Sequence, residues 1–584
     1  MLSIRSQAQT HGIFITSGGS ITTTGASLIV IKNGDFINKG TFTASSSNTV
    51  VMSGTTADSI GGTGATIFNN LTIDNSAGIV ITSNALTTVT GSLTINSGMI
   101  LEVAPGKQLT VTGSITNSGG NSGFILHSSA SGTASLIHNT NNVPATMERY
   151  ISGATEAWHF LSSPVSAQSF SGTWIPSGTY GNGTGYDLYL WNEPSSCWIY
   201  KLDLTSTINW GTVHPGSDFV VGRGYLYSVQ ASNPTKAFAG NLNNASVSYG
   251  LTFSSTDLTL KGFNLVGNPY ASSLDWRAAS GWDRSKLISS GGGYDMWIWS
   301  PSASNYGVYN SADGDGVGTN SVTRYIAPMQ GYFVLASASG NMIMDNTVRI
   351  HTGANNWSKG RSEKGPDVNK VSLVIKSDAG YGTDEIQLGF GYPQNENGAM
   401  KLFSRVLTAP SMYLNSDGKN LSVKYYTDTN ENPEVPLMFT PGITGKYTIL
   451  CNFDQSKFET VMLEDRQLHY IQNVKIKNTY TFQSLSSDNS DRFVLHFGPI
   501  KDHPSRELPA RIYSDGKQLI IDLTLVSKET EVSVFDLTGR ILLRKRLPGE
   551  IQNNIDLNSN TRMLLVCLRN PDGSLSRKLI WEKR

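Results

Sequence analysis

Aromatic side chains are the residues whose types and spacing come nearest to a binding chemistry. Five candidates occur in two stretches of similar sequence, namely Trp191, Trp198, Trp297, Trp299 and Tyr306. Flat aromatic faces bind the C–H surfaces of pyranose rings, so these side chains could form a carbohydrate platform. Strand alternation, however, places Tyr189 and Trp191 on one face and Leu188 and Leu190 on the other. Because a strand that is apolar on both faces is typical of a buried central strand, both interpretations stay open.

An acidic loop is the second candidate, as a calcium site. The segment SADGDGVGTN contains Asp313 and Asp315, and carboxylates and backbone carbonyls are the ligands that Ca²⁺ prefers. The segment lacks the DxDxDG order and the distal glutamate of a calcium-binding helix–loop–helix. A solvated loop between strands is the competing interpretation, and no other cofactor is expected.

Motifs of the common catalytic classes do not occur in the sequence. It has no GxSxG nucleophile elbow, no GxGxxG or GxxxxGK[ST] phosphate loop and no HExxH zinc motif, and its nine histidines are scattered. Lyases and hydrolases built on β-helices need clustered carboxylates or basic residues. The N-terminal region holds few charged side chains, namely Arg5, Lys32, Lys39 and Lys107 against Asp35, Asp58, Asp74 and Glu102. We therefore expect a protein that is not an enzyme.

Composition indicates a multidomain β protein that is soluble or attached to a surface. A chain of 584 residues is too long for a single core, and its 15% of charged residues lies well below the average of about 25%. The 44 basic and 44 acidic residues balance, so neither nucleic acid nor an anionic membrane is an expected partner. The three cysteines lie far apart, which excludes a disulfide framework. No apolar run reaches the roughly 20 residues of a membrane-spanning helix.

A repeat with a fixed period marks the first region, residues 1–143. LTIDNS begins at Leu71, LTINSG at Leu93 and ITNSGG at Ile115, a spacing of 22 residues, and VVMSGT near Val50 fits one step earlier. A period in the twenties is typical of a solenoid, and short alternating runs that end at Asn or Gly are typical of strands and corners. We predict a short parallel β-helix with stacked Leu, Ile and Val inside. Leucine-rich repeats are the competing prediction, but their consensus LxxLxLxxN is absent.

A weaker repetition marks residues 144–354. AWHFLSSPV at 157–165 matches GFNLVGNPY at 262–270, YDLYLW at 186–191 matches YDMWIW at 294–299, and GRGYLYSV at 222–229 matches MQGYFVLA at 329–336. The three offsets are nearly equal and the order is the same, which predicts a duplicated aromatic β-module with copies at about 145–250 and 251–354. GFNLVGNPYASSLDW resembles an active-site loop in composition. Since both copies keep a proline at its turn, we predict a corner of the duplicated scaffold.

Two further β regions follow a linker, NNWSKGRSEKGPDVN, at residues 355–369. Residues 370–500 contain short alternating strands separated by regularly spaced turns, a pattern typical of a β-sandwich. Residues 506–584 repeat this pattern on a smaller scale and end in the basic stretch LSRKLIWEKR. The predicted fold class is all-β: a short parallel β-helix, a duplicated β-rich module and C-terminal β-sandwich domains.

The order of these regions resembles surface proteins of the Bacteroidetes that are exported by the type IX secretion system. The resemblance rests on WHFLSSPV-like and LVGNPYxSxxDW-like turns, an IAPMQGYFV-like strand, VPLMF at 435–439, LEDR at 463–466 and DRFVLHFG at 491–498. The tail resembles the type A sorting domain through SDGKQLIIDL, VSVFDLTGRILLRKRL and RKLIWEKR. It departs from the family at 561–564, where TRML replaces the usual Gly-x-Tyr start of a strand.

This resemblance implies a location and a partner. Residues 506–584 would engage the outer-membrane secretion machinery, and the protein would be secreted or lie on the outside of the outer membrane. The first residues, MLSIRSQAQTHGIFITSGG, lack the apolar segment of a secretory signal. Either the chain is not exported, or this start is a truncated or processed form.

These observations together predict a non-catalytic adhesin or scaffold protein of the cell surface. Repetitive Thr, Ser and Asn faces offer an extended hydrogen-bonding surface, on which affinity arises from area and repetition. The ligand would be a glycan or another host or surface component. The alternative is a carbohydrate-binding surface protein, or the accessory part of a glycan-active enzyme, that uses the aromatic residues named above.

Overall fold

The computed structural model is nearly all β, with 53% of residues in strands and 3% in helices, which confirms the predicted fold class. It contains a β-solenoid of about six turns followed by further β-sheets. None of the helices in the described part of the chain combines the length and the apolar character needed to span a membrane. The structure describes residues 12–151, 157–176, 186–214, 216–228, 235–256, 260–313, 318–352, 369–391, 398–426, 433–453, 456–498, 508–516, 518–559, 561–570 and 573–581.

The chain forms two compact units. The first contains residues 1–289, 293–301 and 309–363, and the second contains residues 290–292, 302–308 and 364–584. The predicted linker falls at this division, and residues 353–368 lie outside the described residues. The sequence did not predict that the short segments 290–292 and 302–308 belong to the second unit.

The solenoid forms because equivalent residues of the repeat pair in register on successive turns. Leu71 lies opposite Leu93 and Val50, and Leu93 lies opposite Ile115, so the repeat predicted from the sequence is confirmed. All of these side chains are buried. The strands of this region are β1 (Gly12–Ile15), β2 (Ser20–Thr22), β3 (Leu28–Lys32), β4 (Asp35–Asn38), β5 (Thr41–Thr43), β6 (Thr49–Gly54), β7 (Asp58–Gly62), β8 (Thr66–Phe68), β9 (Asn70–Asn75), β10 (Ile79–Ile81), β11 (Thr87–Val89), β12 (Ser92–Ile95), β13 (Leu101–Val103), β14 (Gln108–Val111), β15 (Ser114–Asn117), β16 (Phe124–Leu126), β17 (Ser128–Ser129), β18 (Gly132–Thr133), β19 (Ser135–His138) and β20 (Val143–Tyr150), with a 3-10 turn at Asn121–Gly123.

Three parallel sheets enclose the solenoid core. Sheet A runs β1-β4-β7-β10-β13-β16-β20, sheet B runs β2-β5-β8-β11-β14-β19, and sheet C runs β3-β6-β9-β12-β15. The corners between the sheets need residues without side chains where turns stack closely. At Gly113, for example, a Cβ would collide with the carbonyl oxygen of Gly91 on the preceding turn. Glycine at positions 91 and 113 is therefore a packing requirement of these two turns, whereas Asn69 takes this position one turn earlier.

The duplicated module continues sheet A. Its strands and helices are β21 (Trp158–Leu161), β22 (Val165–Ser166), β23 (Asp187–Asn192), β24 (Cys197–Tyr200), α1 (Trp210–Val213), β25 (Tyr225–Ser228), β26 (Thr235–Leu242), β27 (Val247–Leu251), β28 (Phe263–Gly267), β29 (Ser273–Asp275), β30 (Trp282–Asp283), β31 (Ser289–Ser290), β32 (Gly293–Ser300), β33 (Asn305–Asn310), β34 (Tyr325–Ile326), β35 (Gly331–Leu335), β36 (Gly340–Met344) and β37 (Arg349–Ile350), with 3-10 turns at Gly172–Trp174, Thr319–Ser321 and Asn346–Val348. Strand β26 pairs antiparallel with β20 along its whole length, from Val143 opposite Leu242 to Tyr150 opposite Thr235. The module thus covers the edge of sheet A at the last turn of the solenoid.

The two copies of the module share one strand order and one register. Sheet order β21-β25-β23 in the first copy corresponds to β28-β35-β32 in the second. Phe160 pairs with Leu226, and its equivalent Leu265 pairs with Phe333, the equivalent of Leu226. Tyr189 opposite Leu226 likewise corresponds to Trp297 opposite Phe333. The offsets seen in the sequence therefore reflect a repeated topology.

A pseudo-twofold axis relates the copies. Leu161 of the first copy forms a bridge with Gln330 of the second, and the equivalent Val266 of the second forms a bridge with Arg223 of the first. Each copy thus contributes the same two positions to a reciprocal contact. This is the arrangement expected of an isologous interface, here built within one chain.

The sandwich region consists of two antiparallel-rich sheets. Its strands are β38 (Asn369–Ser377), β39 (Thr383–Phe390), β40 (Ser411–Ser416), β41 (Lys419–Leu421), β42 (Val423–Tyr426), β43 (Glu434–Thr440), β44 (Gly445–Asn452), β45 (Val461–Asp465), β46 (Tyr470–Asn473), β47 (Thr479–Ser484) and β48 (Phe493–Phe497). One sheet runs β42-β39-β38-β44-β47 and the other β41-β40-β43-β48-β45-β46. Buried in it, Asp465 and Arg492 pair through both carboxylate oxygens, and Tyr480 donates to Asp465 at 2.9 Å. Two of the motifs on which the resemblance rests thus supply a structural ion pair, Asp465 from LEDR and Arg492 from DRFVLHFG.

The tail has a separate core of buried aliphatic residues and Trp581. Its strands are β49 (Arg511–Ser514), β50 (Leu519–Asp522), β51 (Thr530–Phe535), β52 (Ile541–Leu547), β53 (Gln552–Ile555), β54 (Met563–Asn570) and β55 (Gly573–Ile580). They form sheets with the orders β49-β50-β53 and β52-β51-β54-β55. The departure TRML at 561–564 does not prevent a strand, since β54 begins at Met563.

Candidate functional site

The aromatic residues predicted as a platform lie mostly inside the protein. The exposed fractions are 6% for Trp191, 1% for Trp297, 9% for Trp299 and 7% for Tyr306, whereas Trp198 is partly exposed. Tyr306 belongs to the second compact unit and the four tryptophans to the first. A ring buried to this extent presents no face to a sugar, so the interpretation of buried strands accounts for four of the five positions.

The tryptophans of the first unit pack against rings from both module copies. Trp191 lies edge-on to Trp198 with ring centroids 5.3 Å apart, and edge-on to Phe333 at 5.6 Å. Its Nε1 donates to the carbonyl oxygen of Phe263 at 2.7 Å. Trp297 lies 5.2 Å from Phe263. These contacts make the rings part of the core between the two copies. The buried indole N–H of Trp191 has a backbone carbonyl as its hydrogen-bond acceptor.

The predicted calcium loop is described only in part. Asp313 is 1% exposed, and its backbone carbonyl accepts a hydrogen bond from the Tyr309 hydroxyl at 2.9 Å. Asp315 lies outside the described residues. Within the ranges that the structure describes, no group of three or more His, Cys, Asp or Glu side chains could hold a metal ion.

The turn in GFNLVGNPY is fixed by hydrogen bonds of the Asn268 side chain, which belongs to the loop itself. The Asn268 amide donates to the carbonyl oxygens of Ser272 at 2.8 Å and Ala327 at 2.9 Å, and its Oδ1 accepts from the Tyr270 N–H at 2.9 Å. Asn268 is fully buried. All of these contacts fix the turn, so they agree with its interpretation as a corner of the scaffold.

The outer face of sheet C is a regular surface that the fold builds from the repeat. Its central column consists of Val30, Val51, Thr72, Thr94 and Thr116, which lie directly opposite one another on successive strands. A second column consists of Leu28, Thr49, Asn70, Ser92 and Ser114. Neighbouring strands of a parallel sheet lie about 4.8 Å apart, so the hydroxyl and methyl groups form an even array.

This face carries little charge. Lys32 and Asp74 lie at its margin, where Asp74 accepts a hydrogen bond from the Asn96 amide at 2.8 Å. At the start of the face Leu28 and Val30 are 65% and 57% exposed. The face therefore offers an apolar end followed by neutral hydroxyl groups. The sequence feature that indicates this face is the threonine of the repeat, at 72, 94 and 116. It follows an inward-facing Leu or Ile and recurs once per turn.

Titratable groups of the solenoid gather elsewhere, on sheet A. The His127 ring lies between Glu148, at 2.9 Å from Nδ1, and Glu102, at 3.5 Å from Nε2. The hydrogen bond to Glu148 raises the pKa of His127, while burial opposes this. The sequence did not predict this cluster, because its members lie on separate turns and far apart in the chain.

Comparisons with known proteins assign a family without a described activity. No curated protein matches the chain significantly. A family model described as a domain of unknown function, DUF8693, matches residues 64–497, which is more than half of the chain. The match begins within the solenoid, spans the duplicated module and ends at the last residue of β48, so it does not include the tail. The chain belongs to this DUF8693 family.

Proposed function

We propose that this protein is a non-catalytic adhesin or scaffold of the cell surface that binds through the outer face of sheet C. The observation that carries the proposal is the register of Thr72, Thr94 and Thr116 on three successive turns. Each hydroxyl is held at a position fixed by the backbone ladder, so binding immobilises few side-chain rotamers. Many weak contacts of one kind then add along the face.

The chemistry of the face favours a neutral partner. Its central column has hydroxyl and methyl groups and no ionised side chain, so attraction does not depend on long-range charge. A glycan or another neutral surface fits this chemistry better than nucleic acid or an anionic membrane. The exposed Leu28 and Val30 add an apolar area next to the hydroxyl array.

Adhesion of the purified chain to immobilised neutral glycans and to host extracellular matrix tests this proposal. The variant Thr72→Lys/Thr94→Lys/Thr116→Lys should lose at least about tenfold in affinity, because it places three ammonium groups on the face. The matched control is Thr22→Lys/Thr43→Lys/Thr88→Lys, which puts three lysines on the outer side of sheet B. Equal adhesion by the two variants would show that the outer face of sheet C is not the binding surface.

We also propose that residues 506–584 engage the outer-membrane secretion machinery of a type IX-like system, which would place the protein on the cell surface. The separate core of the tail supports this, because such a core allows the tail to act as a distinct module. Export of the full chain compared with residues 1–505 in a host that has this system is the test. Equal surface display of both would contradict the proposed role of the tail.

One observation supports the alternative function, binding of carbohydrate by aromatic side chains, namely the exposure of two tryptophans. Trp198 is partly exposed, and Trp158, on another strand of the same four-stranded sheet, is 41% exposed. A glycan array with Trp158→Ala and Trp198→Ala would show a loss of signal if this surface binds sugar. The buried Trp299 is unsuitable for this purpose, because its removal would leave a cavity and alter folding.

A further inference from the structure

A histidine joins the end of the duplicated module to the last turns of the solenoid. His351 directly follows β37, and its Nε2 lies 2.8 Å from Thr110 Oγ1 while its Nδ1 lies 2.8 Å from Ser135 Oγ. Thr110 and Ser135 belong to β14 and β19, which are paired strands of sheet B. The imidazole therefore links two solenoid strands to a residue that lies far beyond them in the chain.

Arg349 reinforces this link from β37 itself. Its Nη1 donates to the carbonyl oxygen of His138 at 2.6 Å, and its Nη2 donates to Asn139 Oδ1 at 2.8 Å. Its Nε donates to the carbonyl oxygen of Asn346 at 2.7 Å. The guanidinium group thus lies on the backbone of His138, whose own side chain is 1% exposed.

Both imidazoles are uncharged at neutral pH. Burial lowers the pKa of His138 to about 4, Arg349 acts in the same direction, and the backbone at Thr140 opposes them. Burial, and then Arg349, lower the pKa of His351 to about 4. Each proton would therefore have to enter a site that already faces a positive guanidinium group.

Compensating charge is missing from both sites. Arg349 is the charged group that acts on each ring, and the groups that act on Arg349 in turn are Tyr270 and Asp345. Within the described ranges, no carboxylate stabilises the protonated form of His138 or His351. Protonation of both rings would place two further positive charges beside Arg349 without a partner.

We propose that Thr110, Ser135, Arg349 and His351 form an acid-labile latch, which holds β37 against sheet B at neutral pH and releases it in acid. His138 lies beside Val111 on the inward face of sheet B, so release of β37 from the outer face hydrates His351, which then titrates near its ordinary value of about 6.5. The latch is therefore at full strength above pH 6.5 and weakens as the pH falls towards 4. For His351 the shift towards the released state approaches a limit of roughly 300-fold, which is reached only below pH 4.

Opening of the latch is expected to be local. The pairing of β20 with β26 does not involve a titrating group. The module therefore stays attached to the solenoid while β37 and the edge strand β19 become accessible. This predicts a conformational response to acid that precedes unfolding.

Hydrogen exchange of the full chain measures this response. Protection factors, corrected for the intrinsic pH dependence of exchange, are compared at pH 7.0 and pH 4.5 for peptides that contain residues 135–138 and 349–351. We expect protection in both peptides to fall at least about tenfold at pH 4.5, while the central sandwich strand β38 keeps its protection. Equal protection of the latch peptides at the two pH values would overturn the proposal.

Variants separate the latch from general acid denaturation. His351→Gln removes the titrating group but retains an amide to bond Thr110 and Ser135, so it should keep β37 protected at pH 4.5. The control His127→Gln removes a histidine of the same unit whose pKa is raised, and it should open like the wild type. A full pH titration of His351→Gln gives a second measurement. The substitution should shift the midpoint of opening to lower pH, and an unchanged midpoint would also refute the latch.

Discussion

Ser162 and Gly267 are equivalent residues of the two module copies, and they lie against each other at the pseudo-twofold axis. The Ser162 N–H donates to the carbonyl oxygen of Met329 at 2.9 Å, and the Gly267 N–H donates to the carbonyl oxygen of Gly222 at 2.9 Å. Met329 and Gly222 are equivalent as well, and their φ angles are 60° and 80°. The seam between the copies is therefore one set of backbone contacts formed twice.

The first prediction concerns the space at this axis. A Cβ at Gly267 would collide with the Cβ and Oγ of Ser162, which are fixed close to the backbone and cannot move away. We expect Gly267→Ala to lower the free energy of unfolding by about 2 kcal/mol, measured by urea denaturation of the full chain.

A second substitution identifies the cause. Ser162 Oγ has no hydrogen-bond partner among the residues that the structure describes, so replacing Ser162 by glycine removes packing atoms but no such bond. The double variant Ser162→Gly/Gly267→Ala should recover most of the lost stability. Gly250→Ala is the control, because its Cβ would have open space on an exposed strand. If the double variant is no more stable than Gly267→Ala, the collision is not the cause.

The second prediction concerns the ion pair of the sandwich. Arg492 and Asp465 have exposed side-chain fractions of 1% and 0%, and the guanidinium group also lies 4.5 Å from the ring of Phe482. Arg492→Met would leave the Asp465 carboxylate buried without its cation. We expect the free energy of unfolding of the sandwich to fall by about 3 to 5 kcal/mol. Lys446→Met breaks the exposed pair with Asp378 and should change it by less than about 1 kcal/mol, and equal effects of the two variants would contradict this argument.

Local periodicity made much of the fold predictable. The inward position of Leu71, Leu93 and Ile115 follows from the fixed period of the repeat, because parallel strands of a solenoid stack without a change of register. The duplication was visible for the same reason, since equivalent strands kept their order. Contacts across the pseudo-twofold axis were not predictable, because they join Leu161 to the distant Gln330 without a shared motif.

The candidate site was less predictable than the fold. Strand alternation showed that both faces around Trp191 are apolar, but it does not identify what covers them, and Phe333 of the other copy does so. The histidine contacts at Thr110 and Ser135 likewise depend on a residue beyond position 350. Neither contact has a signal in composition or spacing, since each is a consequence of how distant strands pack.

The third prediction tests the stacked core of the solenoid. Leu93 is fully buried between Leu71 and Ile115, and a cavity at this point would have rigid strands on both sides. We expect Leu93→Ala to lower the free energy of unfolding of the solenoid by about 3 kcal/mol. Thr94→Ala, on the outer face of the same strand, should change it by less than about 0.5 kcal/mol. A comparable loss in both variants would argue against a packed solenoid interior.

The fourth prediction concerns the pH dependence that His127 contributes, which is opposite in sign to that of the latch. Because Glu148 raises the pKa of His127, the folded solenoid binds a proton more tightly than the unfolded chain does. The contribution of His127 to the free energy of unfolding is complete below pH 6.5 and is lost as the pH rises through the raised pKa. Since the three side chains are 27% to 32% exposed, the contribution is at most about 1 kcal/mol.

Calorimetry of wild type and His127→Gln at pH 6 and pH 8.5 measures this contribution. Wild type should exceed the variant in melting temperature by a larger margin at pH 6, because only the protonated imidazole attracts both Glu148 and Glu102. The control is His496→Gln in the other unit, which removes a histidine that also contacts two glutamates but lies in the sandwich. It should leave the solenoid transition unchanged. A margin for His127→Gln that grows with pH would mean that the neutral ring, and not the ion pair, stabilises sheet A.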